Sequence, residues 1–247
     1  MTKPERPGRA ADRGGTRVQS RGERMLGGLL QASHLISLED LPMLVAESAA
    51  RAGFSQTMLY VADLQHQSLL PLSGQYDHTG RPLEPIRIDS TMAGRAFRNT
   101  ELVRARATDP PFAAEHPASA QEPCLLWIPL LDGAERVGVL GVTVPEADED
   151  AESLAGHLAD LVSLMIVSKR GTSDSYACLV RADQMSISAE VLWNLMPAMT
   201  LANDRIMISA VLEPAYDVGG DAYDYASAVT CCTWRSSTPW ATTYPRA

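Results

Sequence analysis

The residue types best suited to chemistry sit near the C-terminal end, in Val218-Gly219-Gly220-Asp221-Ala222-Tyr223-Asp224. Two acids stand three positions apart behind a pair of glycines. Taken alone, Gly-Gly-Asp is an ordinary turn, so its meaning depends on what surrounds it. The other reactive side chains form no constellation. The four cysteines, Cys124, Cys178, Cys231 and Cys232, include no Cys-x-x-Cys pair, and no histidines flank them at metal-ligand spacing. Cys124 lies in an apolar run and reads as a small core hydrophobe. His34, His66, His78, His116 and His157 are scattered, and each reads as a surface or loop histidine. No Ser/His/Asp arrangement, phosphate loop or zinc pattern occurs.

The elements that would position these residues follow from hydrophobic spacing. Leu26, Leu29, Leu30 and Leu35 predict a short amphipathic helix. A second helix is expected over 38–52, with Ser37 as N-cap and Gly53 as its stop. Residues 57–62 and 68–73 read as an antiparallel hairpin, 86–88 as a short strand, 90–99 as a short helix and 102–104 as a strand. The Pro- and Ala-rich stretch 108–123 is a loop. The clearest β signal is the pair 124–131 and 137–144, joined across Asp132-Gly133. A strong helix follows over 148–170. Acids lead it and Lys169 and Arg170 close it, in keeping with the helix dipole. Leu154, Leu158, Leu161, Val162, Met165 and Ile166 form its buried stripe.

That order, carried above all by CLLWIPLLDGAERVGVLGVTVP and the acidic helix start after it, resembles a GAF domain over about residues 25–170. A PAS domain shares part of the pattern. The two helices before the first strand and the closing strand–turn–strand–helix favour GAF. The resemblance implies an α+β fold, a central antiparallel sheet with flanking helices and a pocket on one face. Some GAF domains bind cyclic nucleotides, tetrapyrroles, haem or small aromatics, and others only dimerise. The Asn-Lys-Phe-Asp-Glu sequence of cyclic-nucleotide binders is missing here, and Cys124 is poorly placed for a bilin thioether. The expected partners are a small-molecule ligand of unknown identity and a second copy of the chain.

A linker helix is expected within 171–197, ending at Pro197. Beyond it, AEVLWNLMPAMTLANDRIMISAVLEPAYDVGGDAYDYA resembles the start of a stage II sporulation E-type serine phosphatase domain. That is the bacterial branch of the metal-dependent protein phosphatase 2C (PPM-type) superfamily. The matching residues are Leu195-Met196-Pro197, a strand at 206–212, Pro214-Ala215 and the Val218–Asp224 block. The resemblance implies phosphoserine hydrolysis on a regulatory phosphoprotein by two Mn²⁺ or Mg²⁺ ions, which generate hydroxide and neutralise the phosphoryl charge. By the same resemblance Asp221 is the first metal-site carboxylate and Gly219 and Gly220 shape its turn, with Asp224 beside it.

The family needs later acids to complete that site. The 21 residues after Ala226 contain no acid, yet hold two of the four tryptophans and two of the four cysteines. Read one base out of frame, their codons permit Asp-Val-Leu-His-Leu-Ala-Val-Leu-Asp-Ala-Met-Gly-His-Asp, similar to the next metal motif of the family. The expectation is therefore a frameshifted tail, an incomplete phosphatase β-layer, no stably bound Mn²⁺ or Mg²⁺, and no phosphoserine hydrolysis. A stand-alone GAF module for ligand binding or dimerisation is the alternative.

Net charge is −9, yet residues 1–24 carry seven bases against three acids. The acidic remainder argues against nucleic acid as a partner, and no apolar run approaches the ~20 residues of a membrane helix. A cytoplasmic protein is expected. The expected divisions are a disordered basic leader at 1–24, the GAF segment at 25–170, the linker at 171–197, the phosphatase fragment at 198–227 and the tail at 228–247.

Overall fold

The computed structural model describes residues 21–77, 79–106, 123–181, 184–203, 205–212, 216–217, 220–227 and 232–237. The loop expected at 108–123 and most of the basic leader lie outside them. Helices α1 (Arg21–Ala32) and α2 (Leu41–Arg51) come first. Strands β1 (Gln56–Ala62), β2 (Ser68–Pro71) and β3 (Ile86–Arg87) follow, then helix α3 (Met92–Asn99). Strands β4 (Val103–Arg106), β5 (Cys124–Asp132) and β6 (Glu135–Val144) lead into the long helix α4 (Glu149–Arg170).

The six strands form one sheet in the order β3-β2-β1-β6-β5-β4, with antiparallel pairing throughout. Period-2 alternation sorts their side chains onto two faces. Leu59, Val61, Leu126, Ile128, Leu140 and Val142 meet α1, α2 and α4 in one core. Met58, Tyr60, Leu125, Trp127 and Val139 meet Ala93, Ala96 and Phe97 of α3 in a second. The central strands are therefore covered on both sides, which is why β5 and β6 read as unbroken apolar runs rather than alternating ones.

Two glycines permit the close approaches at the sheet. A Cβ on Gly138 would stand 2.0 Å from the carbonyl oxygen of Tyr60, on the neighbouring central strand. A Cβ on Gly141 would stand 2.7 Å from the indole of Trp127, its register partner on β5.

The helix ends are set locally. Asp148 accepts the Ala151 N–H at 2.7 Å and caps α4, and Thr91 accepts the Gly94 N–H at 3.0 Å and caps α3. Helix α2 starts three residues later than its apolar spacing predicts. Ser37 and Asp40 close a turn on each other instead: the Ser37 hydroxyl donates to the Asp40 carboxylate at 2.8 Å, and the Asp40 N–H donates back at 3.2 Å. By length and composition α4 could cross a membrane. Its Ala155, Leu158, Val162 and Ile166 are instead buried in the first core.

After α4 the chain does not continue as one linker helix. It forms α5 (Asp174–Leu179) and α6 (Ile187–Leu195), capped by the hydroxyls of Ser173 and Ser186. Two small antiparallel hairpins follow: β7 (Thr200–Ala202) with β8 (Met207–Ser209), and β9 (Ala222–Ser227) with β10 (Cys232–Ser237). The strand expected over 206–212 is thus confined to its first half.

Candidate functional site

The acids singled out by sequence, Asp221 and Asp224, sit at the start of the last hairpin. Gly219 lies outside the described residues. Gly220 adopts φ +84°, a left-handed turn that favours glycine, and Asp221 follows it half-buried. On β9, Tyr223 and Tyr225 share a face, and their hydroxyls donate to the carbonyls of Pro197 and Ala198 at 3.1 and 2.8 Å. Asp224 is exposed and falls on the opposite face of β9, registered against Arg235. Among the described residues no three His, Cys, Asp or Glu side chains gather where a metal ion could be held. Among the described residues, then, Asp221 and Asp224 do not make up a two-cation centre.

The histidines and cysteines divide as follows. His34 and His157 are exposed, and His78 and His116 lie outside the described residues. The Cys124 thiol is buried and donates to the Ala105 carbonyl at 3.4 Å, and burial pushes its pKa up. Cys178 is exposed. His66 lies in a turn, as a loop histidine would, but it is not on the surface. It is half-buried at the turn between β1 and β2 with φ +54°, and its ring stands edge-on to Phe97 at 5.4 Å. Burial, and next the Arg136 guanidinium, lower its pKa.

The sheet face under α3 carries Tyr60 and Trp127 packed with Phe97. Tyr60 and Trp127 meet edge to face with centroids 6.0 Å apart. The Tyr60 hydroxyl is fully buried without a hydrogen-bond partner among the described residues. Desolvation, and then Glu84, raise its pKa. Beside this face, at the α3 and β4 edge, lies a depression of about 560 Å³. Its charges pair with one another, Arg95 with Glu101 at 3.3 Å and Arg104 with Glu152.

A second hollow, of about 310 Å³, opens where the six-stranded sheet meets the chain after α4. The β1–β2 turn and the start of β6 form one wall, and α5, α6 and Met196–Met199 the other. Arg170, the last residue of α4, grips Glu135 through two hydrogen bonds at 2.6 and 2.9 Å. These bonds, strengthened by charge on both sides, raise the pKa of Arg170, with Tyr176 of α5 a further hydrogen-bond partner. The Leu64 N–H donates to the Val180 carbonyl at 3.1 Å, and Ser173 and Ser175 both donate to Glu39. Helix α5 is thus fastened to three separate parts of the fold. None of this was legible beforehand. Arg170 was read only as a charge complementing the dipole of α4, and its partners lie far away in sequence.

No protein-family model matches the chain, and no curated protein matches it. Solved structures do. The GAF domain of nlh2 from A. aeolicus, in an inactive state, aligns with a TM-score of 0.50 at 11% identity, over 60% of this chain and 97% of that one. The GAF domain of a phosphoenolpyruvate-protein phosphotransferase (ptsP) from Coxiella burnetii aligns with a TM-score of 0.48 at 20% identity, over 61% and 97%. That of an Acinetobacter phosphoenolpyruvate-protein phosphotransferase gives 0.48 at 19%, over 61% and 96%. The chain carries a GAF-domain fold over about 60% of its length.

Proposed function

We propose that the chain is a signal-transduction module in which a GAF-fold sensor passes its state to the segment after α4. The observation that carries this reading is the two-bond grip of Arg170 on Glu135 with Tyr176 beside it. A rearrangement of the sheet reaches the β5–β6 turn, and from there α5, through a short, directional, half-buried ion pair. Hydrogen exchange tests it. Phe97→Leu, which loosens the α3 face, is expected to change exchange in residues 174–195, and Arg170→Gln is expected to uncouple that response. Exchange in 174–195 that ignores the sensor substitution in both backgrounds would end the proposal.

Residues 198–227 are proposed, on their sequence, as the beginning of a PPM-type serine phosphatase domain whose parent acts on a phosphoprotein regulator with Mn²⁺ or Mg²⁺. The order Leu-Met-Pro, Pro-Ala, Val-Gly-Gly-Asp-Ala-Tyr-Asp supports it, as does the left-handed turn at Gly220 directly before Asp221. Nucleotide sequence across codons 226–247 tests it. Codons incompatible with the shifted Asp-Ala-Met-Gly-His would refute the frameshift.

A further inference from the structure

The cleft between the GAF fold and the segment after α4 has a chemical character of its own. The hollow of about 310 Å³ adjoins a second of about 220 Å³, and the two share Leu64, His66, Glu135, Arg136, Trp193 and Met199. The larger falls at the lower end of the ~300–1,000 Å³ range of small-molecule pockets.

Most charges in its walls are already answered. Arg170 pairs with Glu135, and Arg181 with Glu190 at 2.7 Å. Asp63 is buried and accepts the Gln67 N–H at 2.7 Å. Arg136 is the exception. It meets no carboxylate within ion-pair distance among the described residues. Its recorded contacts are the Arg98 carbonyl at 3.3 Å and the Phe97 ring, 5.7 Å from the centroid. One guanidinium with no carboxylate partner among the described residues, in walls that also hold an indole and methionine side chains, calls for one negative charge on a flat apolar body.

We infer that this cleft binds a small planar aromatic monocarboxylate, its carboxylate on the Arg136 guanidinium and its ring system against Trp193 and Met199. A dianion fits less well, because Glu135, Asp63 and Glu190 stand in the same walls and, among the described residues lining them, Arg136 alone lacks a carboxylate partner. His66 lines both hollows, its pKa lowered by burial and then by Arg136, and its ring offers the ligand a hydrogen bond. The inference does not depend on signal relay, since a ligand can occupy the cleft whether or not the sensor's state travels through it.

Calorimetric titration of the full chain with 1-naphthoate, 1-naphthamide and 1-naphthyl phosphate tests it. Saturable binding of 1-naphthoate is expected. The neutral amide is expected to bind more weakly by on the order of tenfold to a hundredfold, the range set by losing a charged hydrogen-bond partner. Arg136→Gln should impose a similar loss on 1-naphthoate, and Arg136→Lys, which keeps the charge but not the fork, a smaller one. Trp193→Ala should weaken the acid and the amide alike. Tyr60→Phe, on the α3 face, should leave the affinity unchanged, which separates this cleft from the face under α3. Absence of saturable 1-naphthoate binding would overturn the inference. So would tighter binding of the phosphate, equal binding of acid and amide, affinity indifferent to Arg136→Gln in a variant that still unfolds cooperatively, or loss of affinity in Tyr60→Phe.

Discussion

Tyr60 shows how much one atom can weigh. Its ring fills the second core, yet its hydroxyl finds no partner among the described residues. An unpaired buried hydroxyl costs about 1–3 kcal/mol. Tyr60→Phe is therefore expected to raise the urea midpoint of the free chain, a gain of about 1 kcal/mol or more. A lower midpoint would show that the hydroxyl is satisfied in solution. His66 acts through a proton instead. Burial, then Arg136, depress its folded-state pKa below 6.5. Below the unfolded-state pKa the unfolded chain binds the proton more readily, so this contribution to stability is present above pH ~6.5 and is lost as pH falls through the folded value. His66→Gln should flatten the fall in stability on the acid side of pH 6.5, measured by urea unfolding at a series of pH values. His66 was read from sequence as a loop histidine. Its turn position was legible, but its burial depends on Phe97 and Arg136, which no local pattern places next to it.

At the scale of elements, the central pairing of β1 with β6 is the most demanding contact. Gly138→Ala puts its new carbon against the Tyr60 backbone oxygen and forces the strands apart, for a loss of about 3 kcal/mol or more. Gly141→Ala meets only side-chain atoms of Trp127 and Met58, which can shift, so it should cost less. Urea unfolding of the two variants checks the order. The elements themselves were largely legible. Two-sided burial made β5 and β6 continuous apolar runs, and the caps and charges of α4 marked its limits within a residue. The connector was less legible. Its apolar residues suit one helix, but the α5 boundary is set by bonds to Glu39 and Leu64, which lie on the GAF fold. The candidate site was least legible of all, because Asp221 stands half-buried just before β9 while Asp224 lies exposed within it.

For the molecule as a whole, the expectation of an unfinished metal site, drawn from the acid-free stretch after Ala226, bears on activity. The purified chain is expected to show no Mn²⁺-dependent turnover of p-nitrophenyl phosphate or a phosphoserine peptide. Measurable metal-dependent hydrolysis would reverse that expectation. The strand order carries a different consequence, for synthesis. Gln56 pairs with Thr143 and Val61 with Gly138, so the middle of the sheet joins segments roughly eighty residues apart. At ~5–20 residues per second, a ribosome takes on the order of 4–16 s to deliver the second after the first. Throughout that interval the early hairpin waits with a greasy, unzipped flank. That window, rather than the finished fold, is where a nascent chain of this protein most needs a chaperone.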